Sequence, residues 1–296
     1  MKVSVVMPSL NGKTILEKNL PILLAASNNP KNNICEIIIV DDGSWDDSVS
    51  FLTQNFKGRI KLIKHTKNRG FSASVNTGVR ASTGDLILLI NIDVIPEVNF
   101  LESSLPHFDN KKVFAVSLHE KDYGYEKGYF GDGYIQLAMG KEDNALHPCL
   151  YVSGGSGLFR KSLWKELGGM DEKLLSPFYW EDVDLGYRAI KRGYINLWEP
   201  NGNCIHHHES TISKLPQKYV GRVKERNQLL VIWKNIHSKN LIKKHIVGLL
   251  SRSLKHPGYL RVVFMALMRL KIVLKARKKE IKEGKVSDEA ILSMFS

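Results

Sequence analysis

Apolar residues in the first hundred positions fall into short runs, each followed by polar residues and then by a stretch of helical spacing. The runs are residues 3–7, 37–40, 60–63 and 86–90. None alternates with polar positions, which predicts strands covered on both faces, as in a parallel sheet. Between the first two, Ile15, Leu16, Leu20, Leu23 and Leu24 form one helical face, with Pro21 expected to kink or divide the helix. A second helix carries Val49, Leu52 and Phe56 behind a cap at Asp46 or Asp47. A third spans residues 72–81 and is closed by Gly84. Strand and helix therefore alternate, which predicts βαβ units with right-handed crossovers.

Past residue 100 the pattern loosens. A strand is expected over residues 113–118, and residues 119–150 read as an irregular insertion rich in Gly, Tyr and charge. Residues 151–160 read as a strand broken by Gly154, Gly155 and Gly157. A short helix follows over 161–167. Phe178, Tyr179 and Trp180 then precede an acidic helix start at Glu181, Asp182 and Asp184, with Leu185 and Ile190 as core positions. A short strand is expected over 196–198, and three histidines, His206, His207 and His208, come after it. On an extended segment His206 and His208 share a face and His207 opposes them.

Candidate chemistry sits where the strands stop. Ser9 and Asn11, Asp41 and Asp42, and Asn91 and Asp93 each follow an apolar run, and ligands of open α/β sheets bind outside the carboxyl ends of strands. A dinucleotide-binding turn is excluded, because no G-x-G-x-x-G follows the first strand; no G-x-x-x-x-G-K-[ST] occurs either.

Charge changes the picture only in the last third. Residues 211–296 hold 20 Lys/Arg and 5 Asp/Glu, against 23 and 25 in the remainder. A near-neutral body with a basic tail points to an anionic surface as the tail's partner. Three cysteines without a C-x-x-C indicate neither a disulfide framework nor a zinc site, and a reducing compartment is the expectation. No apolar stretch approaches the ~18 residues of a membrane span, and the first apolar run is too short for a signal segment.

Taken together, these segments resemble the inverting family 2 glycosyltransferases of the GT-A fold over roughly residues 1–212. The resemblance is carried by Pro8-Ser9-Leu10-Asn11-Gly12, Asp41-Asp42-Gly43-Ser44, Asn68-Arg69-Gly70-Phe71, and Gly84-Asp85 with Asn91-Ile92-Asp93. It continues in Gly154-Gly155-Ser156-Gly157 and in Trp180-Glu181-Asp182-Val183-Asp184-Leu185 with Arg188. It implies a Rossmann-like, mostly parallel sheet flanked by helices, with a nucleotide-binding half (1–95) and an acceptor-side half (96–212). A basic helical region (213–296) lies outside that core. It implies transfer of a sugar from a UDP-, dTDP- or GDP-sugar to a glycan hydroxyl, the acceptor being lipid-linked in many members. Bacterial rhamnosyl and related transferases of surface polysaccharide assembly are similar.

By the same resemblance, Asp182 is the general base. Pro8, Ser9, Asn11, Asp41, Asp42, Asn68, Arg69, Gly70, Asn91 and Asp93 bind the donor. Gly154, Gly155, Trp180, Glu181 and Arg188 line the sugar and acceptor pocket. Asp93 and His207 hold a divalent cation, Mg²⁺ or Mn²⁺, that neutralises the leaving diphosphate. Asn91 departs from the family's D-x-D pattern by replacing its first carboxylate with a neutral amide, which implies weaker metal binding. Tyr123, Tyr125, Tyr129 and Tyr134 fit either sugar stacking or a local core.

Residues 259–279 read as one amphipathic basic helix. It lies on an anionic membrane surface or packs its apolar face on the catalytic domain. The first reading puts the protein peripherally on the cytoplasmic face of the cell membrane. Nucleic acid is not the expected partner, since aromatic residues are not interleaved as stacking platforms. Two other functions compete. A sugar-nucleotide nucleotidyltransferase should carry a Gly-rich, basic loop after its first strand, where this chain offers only Lys13. A non-catalytic glycan- or membrane-binding scaffold has Asn91 in its favour.

Overall fold

The computed structural model describes residues 1–207 and 215–295. The four apolar runs become β1 (Val3–Ser9), β2 (Ile34–Asp41), β3 (Lys61–Lys64) and β4 (Leu86–Ile90). They pair in parallel in the order β3-β2-β1-β4. Every residue of β4 is fully buried. Alternate residues feed opposite faces: Val5 and Leu88 pack with Leu16 and Leu20 on one side, Val6 and Leu89 with Val75 and Val79 on the other. Those partners come from the crossover helices α1 (Lys13–Ser27) and α3 (Phe71–Ala81); α2 (Ser48–Asn55) completes the set. α1 runs through Pro21 undivided. Pro21 and Glu17, whose carbonyl loses its helical N–H partner, both face solvent, so the missing bond costs little.

Beyond β4 the sheet turns mixed. Its strands are β5 (Val94–Pro96), β6 (Val113–Glu120), β10 (Ser156–Arg160) and β11 (Ile195–His206), in the order β4-β10-β6-β11-β5. β10 is antiparallel to both neighbours, β6 and β11 are parallel, and β5 is antiparallel to β11. All-parallel pairing thus holds for the first half only. β11 runs on to His206, well past the three residues the apolar pattern reveals. Its polar second half is held by pairing with β5 and, after an irregularity between Glu199 and Asn203, with β6.

The segment read as an irregular insertion is ordered. It contains a hairpin of β7 (Glu126–Gly131) and β8 (Tyr134–Met139), and the short β9 (His147–Pro148) paired with β11. The hairpin turns at Asp132-Gly133, both with positive φ, an Asp-Gly signal present in the sequence. Tyr134 is buried and Tyr125 stacks on His147 at 4.1 Å, so these two serve a local core. Tyr123 and Tyr129 are exposed.

Helices α4 (Lys161–Leu167) and α5 (Glu181–Lys191) precede β11. The C-terminal region folds as α6 (Gln217–Asn235), α7 (Lys239–Lys255), α8 (Leu260–Leu267), α9 (Leu270–Glu283) and α10 (Asp288–Ser293). The single helix expected over 259–279 is therefore two, parted at Met268 and Arg269. Val262, Ala266 and Val273 are buried in one cluster with Leu229 and Leu230 of α6 and Val183 and Tyr187 of α5. The expected 212–213 boundary lies outside the described residues. Among the described residues, no helix is long and apolar enough to cross a membrane.

Candidate active site

The carboxyl ends of β1 and β2 form the first part of the site. Ser9 and Asp41 are register partners there, and both are buried. Asp41 Oδ2 accepts from Ser44 N at 3.0 Å. Its Oδ1 and the Ser9 hydroxyl are buried without a protein partner. A buried acceptor left open is costly unless a ligand N–H fills it. Asp42 has a different job. It accepts from Arg69 N at 2.9 Å, Gly70 N at 2.8 Å and His65 Nδ1 at 2.7 Å. Its carboxylate thus fixes the Asn68-Arg69-Gly70 loop beside Asp41. The Asn68 side-chain oxygen also accepts from Gly70 N, and that of Asn11, at φ 51°, accepts from Trp45 N and so ties down the first loop. Pro8, a register partner of Val40, is half-buried in β1. The Arg69 guanidinium is directed to Glu172 at 3.3 Å.

The end of β4 forms the second part. Asn91 N donates to Gly155 O at 2.9 Å, and a Cβ on Gly155 would stand 2.6 Å from the Asn91 amide and 3.3 Å from the His206 ring. A side chain there would push the Asn91 amide aside. Asp93 is buried, and His206 bridges it to Glu120: Nε2 is 3.2 Å from Asp93 Oδ1 and Nδ1 is 3.0 Å from Glu120 Oε2. Glu120 also accepts from the Ser156 hydroxyl at 2.5 Å. Burial alone would lower the imidazole's affinity for a proton, but the two carboxylates overcome it and push His206 up to about 9.

The imidazole on Asp93 is thus that of His206, not His207. The His207 side chain is exposed and its contact with Asp93 is through its backbone N–H, 3.1 Å from Asp93 O. His206 is the last residue of β11, and β5–β11 pairing brings it beside the end of β4. His208 lies outside the described residues.

The third part is the start of α5. Tyr179 and Trp180 both adopt left-handed conformations (φ 72° and 74°) immediately before Glu181. Such backbone costs about 1–3 kcal/mol per residue and is held by its surroundings. The holder is α6. The Asn227 amide lies 2.6 Å from Leu175 O and 2.9 Å from both Phe178 O and Tyr179 O, and Arg226 donates to Ser176 O at 2.7 Å. On the other side Phe71 N donates to Pro177 O at 3.0 Å, joining this loop to the Asn68–Gly70 loop. Asp182 lines a cleft of about 190 Å³ with Leu137, Tyr151, Tyr179, Trp180 and Lys224. Its carboxylate accepts from Val183 N at 2.8 Å and from the Gly154 backbone.

Burial raises the affinity of Asp182 for a proton, and those two bonds oppose it. Glu181 is buried with one oxygen lacking a partner. Burial, with the Asp182 charge adding to it, pushes Glu181 up to about 8, so it is largely protonated at neutral pH. Of the two, Asp182 is the one that ionises first, since its charge is among the causes that raise Glu181.

Adjacent glycines connect the parts, since Gly154 touches Asp182 and Gly155 touches Asn91 and His206. Arg188, expected in the pocket, is instead interior. Its three nitrogens bond Asp184 Oδ2 at 2.8 Å, Leu167 O at 2.7 Å and Gly169 O at 2.7 Å. Sequence reading missed Glu120, Tyr151, Lys224 and Asn227. Only pairing of distant segments brings them in, so no local motif marks them.

Among the described residues, no three His, Cys, Asp or Glu side chains are arranged to hold a metal on their own. Asp93 and His206 do present a carboxylate oxygen and an imidazole nitrogen side by side, with the Asn91 amide next to them across Gly155. Hard divalent ions in phosphate-binding sites commonly take one or two protein ligands and complete their shell from phosphate and water. The donor set fits such an ion once a diphosphate is present and His206 has given up the proton it holds between Asp93 and Glu120.

A mixed sheet with ligand-facing strand ends, two Gly-bearing loops and an acidic helix start defines a GT-A fold. The structure resembles a mannosyltransferase from Pyrobaculum calidifontis, described in complex with GDP-Man and Mn²⁺, with a TM-score of 0.58 at 15% identity, covering 95% of this chain and 84% of that one. Residues 4–168 match glycosyl transferase family 2, and the chain belongs to that family. It is 30% identical over 187 residues to the pre-mycofactocin glycosyltransferase of Mycobacterium tuberculosis, covering 60% of this chain. It spans only 38% of that relative's length. Over 73 residues it is 33% identical to the N-acetylglucosaminyl-diphospho-decaprenol L-rhamnosyltransferase of the same species, covering 25% of this chain and 23% of that protein.

Proposed function

We propose that this chain is an inverting glycosyltransferase that moves a sugar from a nucleotide-sugar donor to a hydroxyl of a glycan acceptor. The observation that carries the reading is the adjacency of Asp182 to the Asn91–Asp93–His206 group through Gly154 and Gly155. Single displacement needs that pairing: a base on the acceptor side and charge neutralisation on the leaving-group side. Asp182 removes the proton of the attacking hydroxyl. Asp41 Oδ1 receives an N–H from the nucleobase, and the Ser9 hydroxyl contacts the same ring or its ribose. The Asn68–Gly70 loop, fixed by Asp42, walls that pocket. Gly155 lets the sugar-diphosphate approach the backbone. Asp93 and the deprotonated imidazole of His206 would hold Mg²⁺ or Mn²⁺, the ion taking the place of the proton that His206 otherwise carries; the ion, when bound, offsets the charge that builds on the leaving group.

The acceptor is a lipid-linked glycan and the pathway is surface polysaccharide assembly, a reading supported by the decaprenol-linked acceptor in the name of one relative. The chain then works at the cytoplasmic face of the membrane, with its basic C-terminal region against anionic lipid. A thermal-shift screen of UDP-, dTDP- and GDP-sugars with and without Mn²⁺ tests the reading. One nucleotide class should raise the melting temperature, and more so with Mn²⁺. No stabilisation by any nucleotide sugar would contradict it.

A further inference from the structure

The C-terminal helices leave apolar rows uncovered. On α7, Ile246, Val247, Leu250 and Leu254 share one face, and all are exposed, Leu254 at 81%. On α8 and its end, Leu260, Phe264, Leu267 and Met268 recur at helical spacing and are also exposed, Met268 at 74%. The opposite faces are the buried ones: Leu241 and His245 on α7, Val262 and Ala266 on α8. Each helix is therefore already packed on the body, and the outer rows are surplus to that packing. Between Glu225 and Glu280 the chain holds fourteen Lys/Arg and no Asp or Glu. Lys243, Lys244, Lys255 and Arg261 from this stretch are exposed.

We infer that the outer edge of α7 and α8 inserts into the headgroup–acyl boundary of an anionic bilayer, with the flanking lysines and arginines at the phosphate level. Exposed apolar rows framed by basic residues fit that boundary, where long cationic side chains reach the phosphates while apolar ones sink below them. A second copy of the chain is a poor occupant. It would bring the exposed Lys243, Lys244, Lys255 and Arg261 of one copy against those of another, with Asp132 and a Glu225 already paired with Arg252 close by to offset them, which like-charge repulsion opposes. The inserting element is α7–α8 and not the basic stripe of α9, which the sequence makes the obvious candidate.

The position also serves the site. The hairpin turn seats on α7, with His245 Nδ1 2.7 Å from Gly133 O and Gly248 packed closely against Asp132 O. Leu137 of the same hairpin lines the Asp182 cleft. One hairpin thus links the inserted helix to the acceptor side of the site. The inference deepens the membrane placement proposed above, and its test runs on vesicles without any sugar transfer.

The full chain is floated with phosphatidylcholine vesicles, with or without phosphatidylglycerol, at physiological salt and at about 1 M salt. The wild type should bind the anionic vesicles and keep part of that binding in high salt. The pair Leu250→Glu and Phe264→Glu should lose about tenfold or more of its partition, while melting temperature and nucleotide binding stay unchanged. Equal partition of the variant would overturn the inference. So would complete release of the wild type by salt, no binding at all, or a wild-type dimer in sedimentation that the variant splits. Vesicle binding by a wild type that no nucleotide sugar stabilises in the separate thermal-shift screen would instead count against the enzymatic reading alone.

Discussion

Asp182 and Glu181 divide one problem between them. Two adjacent buried carboxylates cannot both ionise cheaply, so the deeper one keeps its proton to the higher pH and the one facing the cleft ionises first. The raised Glu181 has a consequence for stability. Its folded affinity for protons exceeds the unfolded one, so its contribution is present below about pH 4.5 and is lost as pH rises through about 8. Glu181→Gln should therefore raise the melting temperature at pH 8.5 relative to wild type, with little difference at pH 4. An equal effect at both pH values would show that Glu181 titrates normally. Asp184, one turn along, is the reverse case. Burial would raise it, but Arg188 and Lys234 hold it down to about 2. Its stabilisation is present above the unfolded value of 3.8 and is lost as pH falls towards 2. Asp184→Asn leaves Arg188 buried without its counter-charge and Lys234 with Asp171 alone, and should cost roughly 3–5 kcal/mol in denaturant unfolding at pH 7. A loss under 1 kcal/mol would contradict that network.

At the level of elements, α5 is aimed by its neighbours. The left-handed Tyr179–Trp180 turn has no glycine to ease it, so the Asn227 amide and Arg226 must hold it from α6. Asn227→Ala should lower turnover at least tenfold by misplacing Asp182 while donor-nucleotide affinity changes little. Parallel loss of both would mean that the whole loop collapses. The strands were legible because buried runs such as residues 86–90 announce themselves by composition. The Asp182 and Asp93 segments were legible because strand ends and helix starts have local signals. Which histidine faces Asp93 was not: it depends on how far β11 extends, and pairing with β5 and β6 sets that rather than any apolar pattern in residues 199–206. Arg188 misled for a related reason. Its motif neighbours line the cleft, but helical rotation carries it to the interior with Asp184. The hairpin at Asp132-Gly133 was readable from its turn and was masked by the surrounding glycines and charges.

Across the whole molecule, the C-terminal helices are bound into the catalytic body. Asp288 of α10 accepts from Tyr187 of α5 at 2.8 Å and from Ser238 N at 2.7 Å, and it pairs with Lys191; Asp288, Tyr187 and Lys191 are buried. Arg192 of the segment after α5 pairs with Glu280 of α9 at 2.7 Å. Removing residues 255–296 would uncover the apolar face of α6 and strand those cations. The truncated chain should lose its cooperative melting transition and aggregate, rather than simply leave the membrane; an unchanged transition would contradict the interlock. Finer substitutions such as the α7–α8 pair are the better probe of membrane contact. The central claim is that Asp182 acts as base across from a diphosphate site. Its most direct test compares nucleoside-diphosphate release by wild type and Asp182→Asn, using the donor found by thermal shift, alongside nucleotide affinity by calorimetry. The account predicts a fall in turnover of about 10²–10⁴-fold with affinity within about twofold of wild type. Near-normal turnover in Asp182→Asn would contradict it.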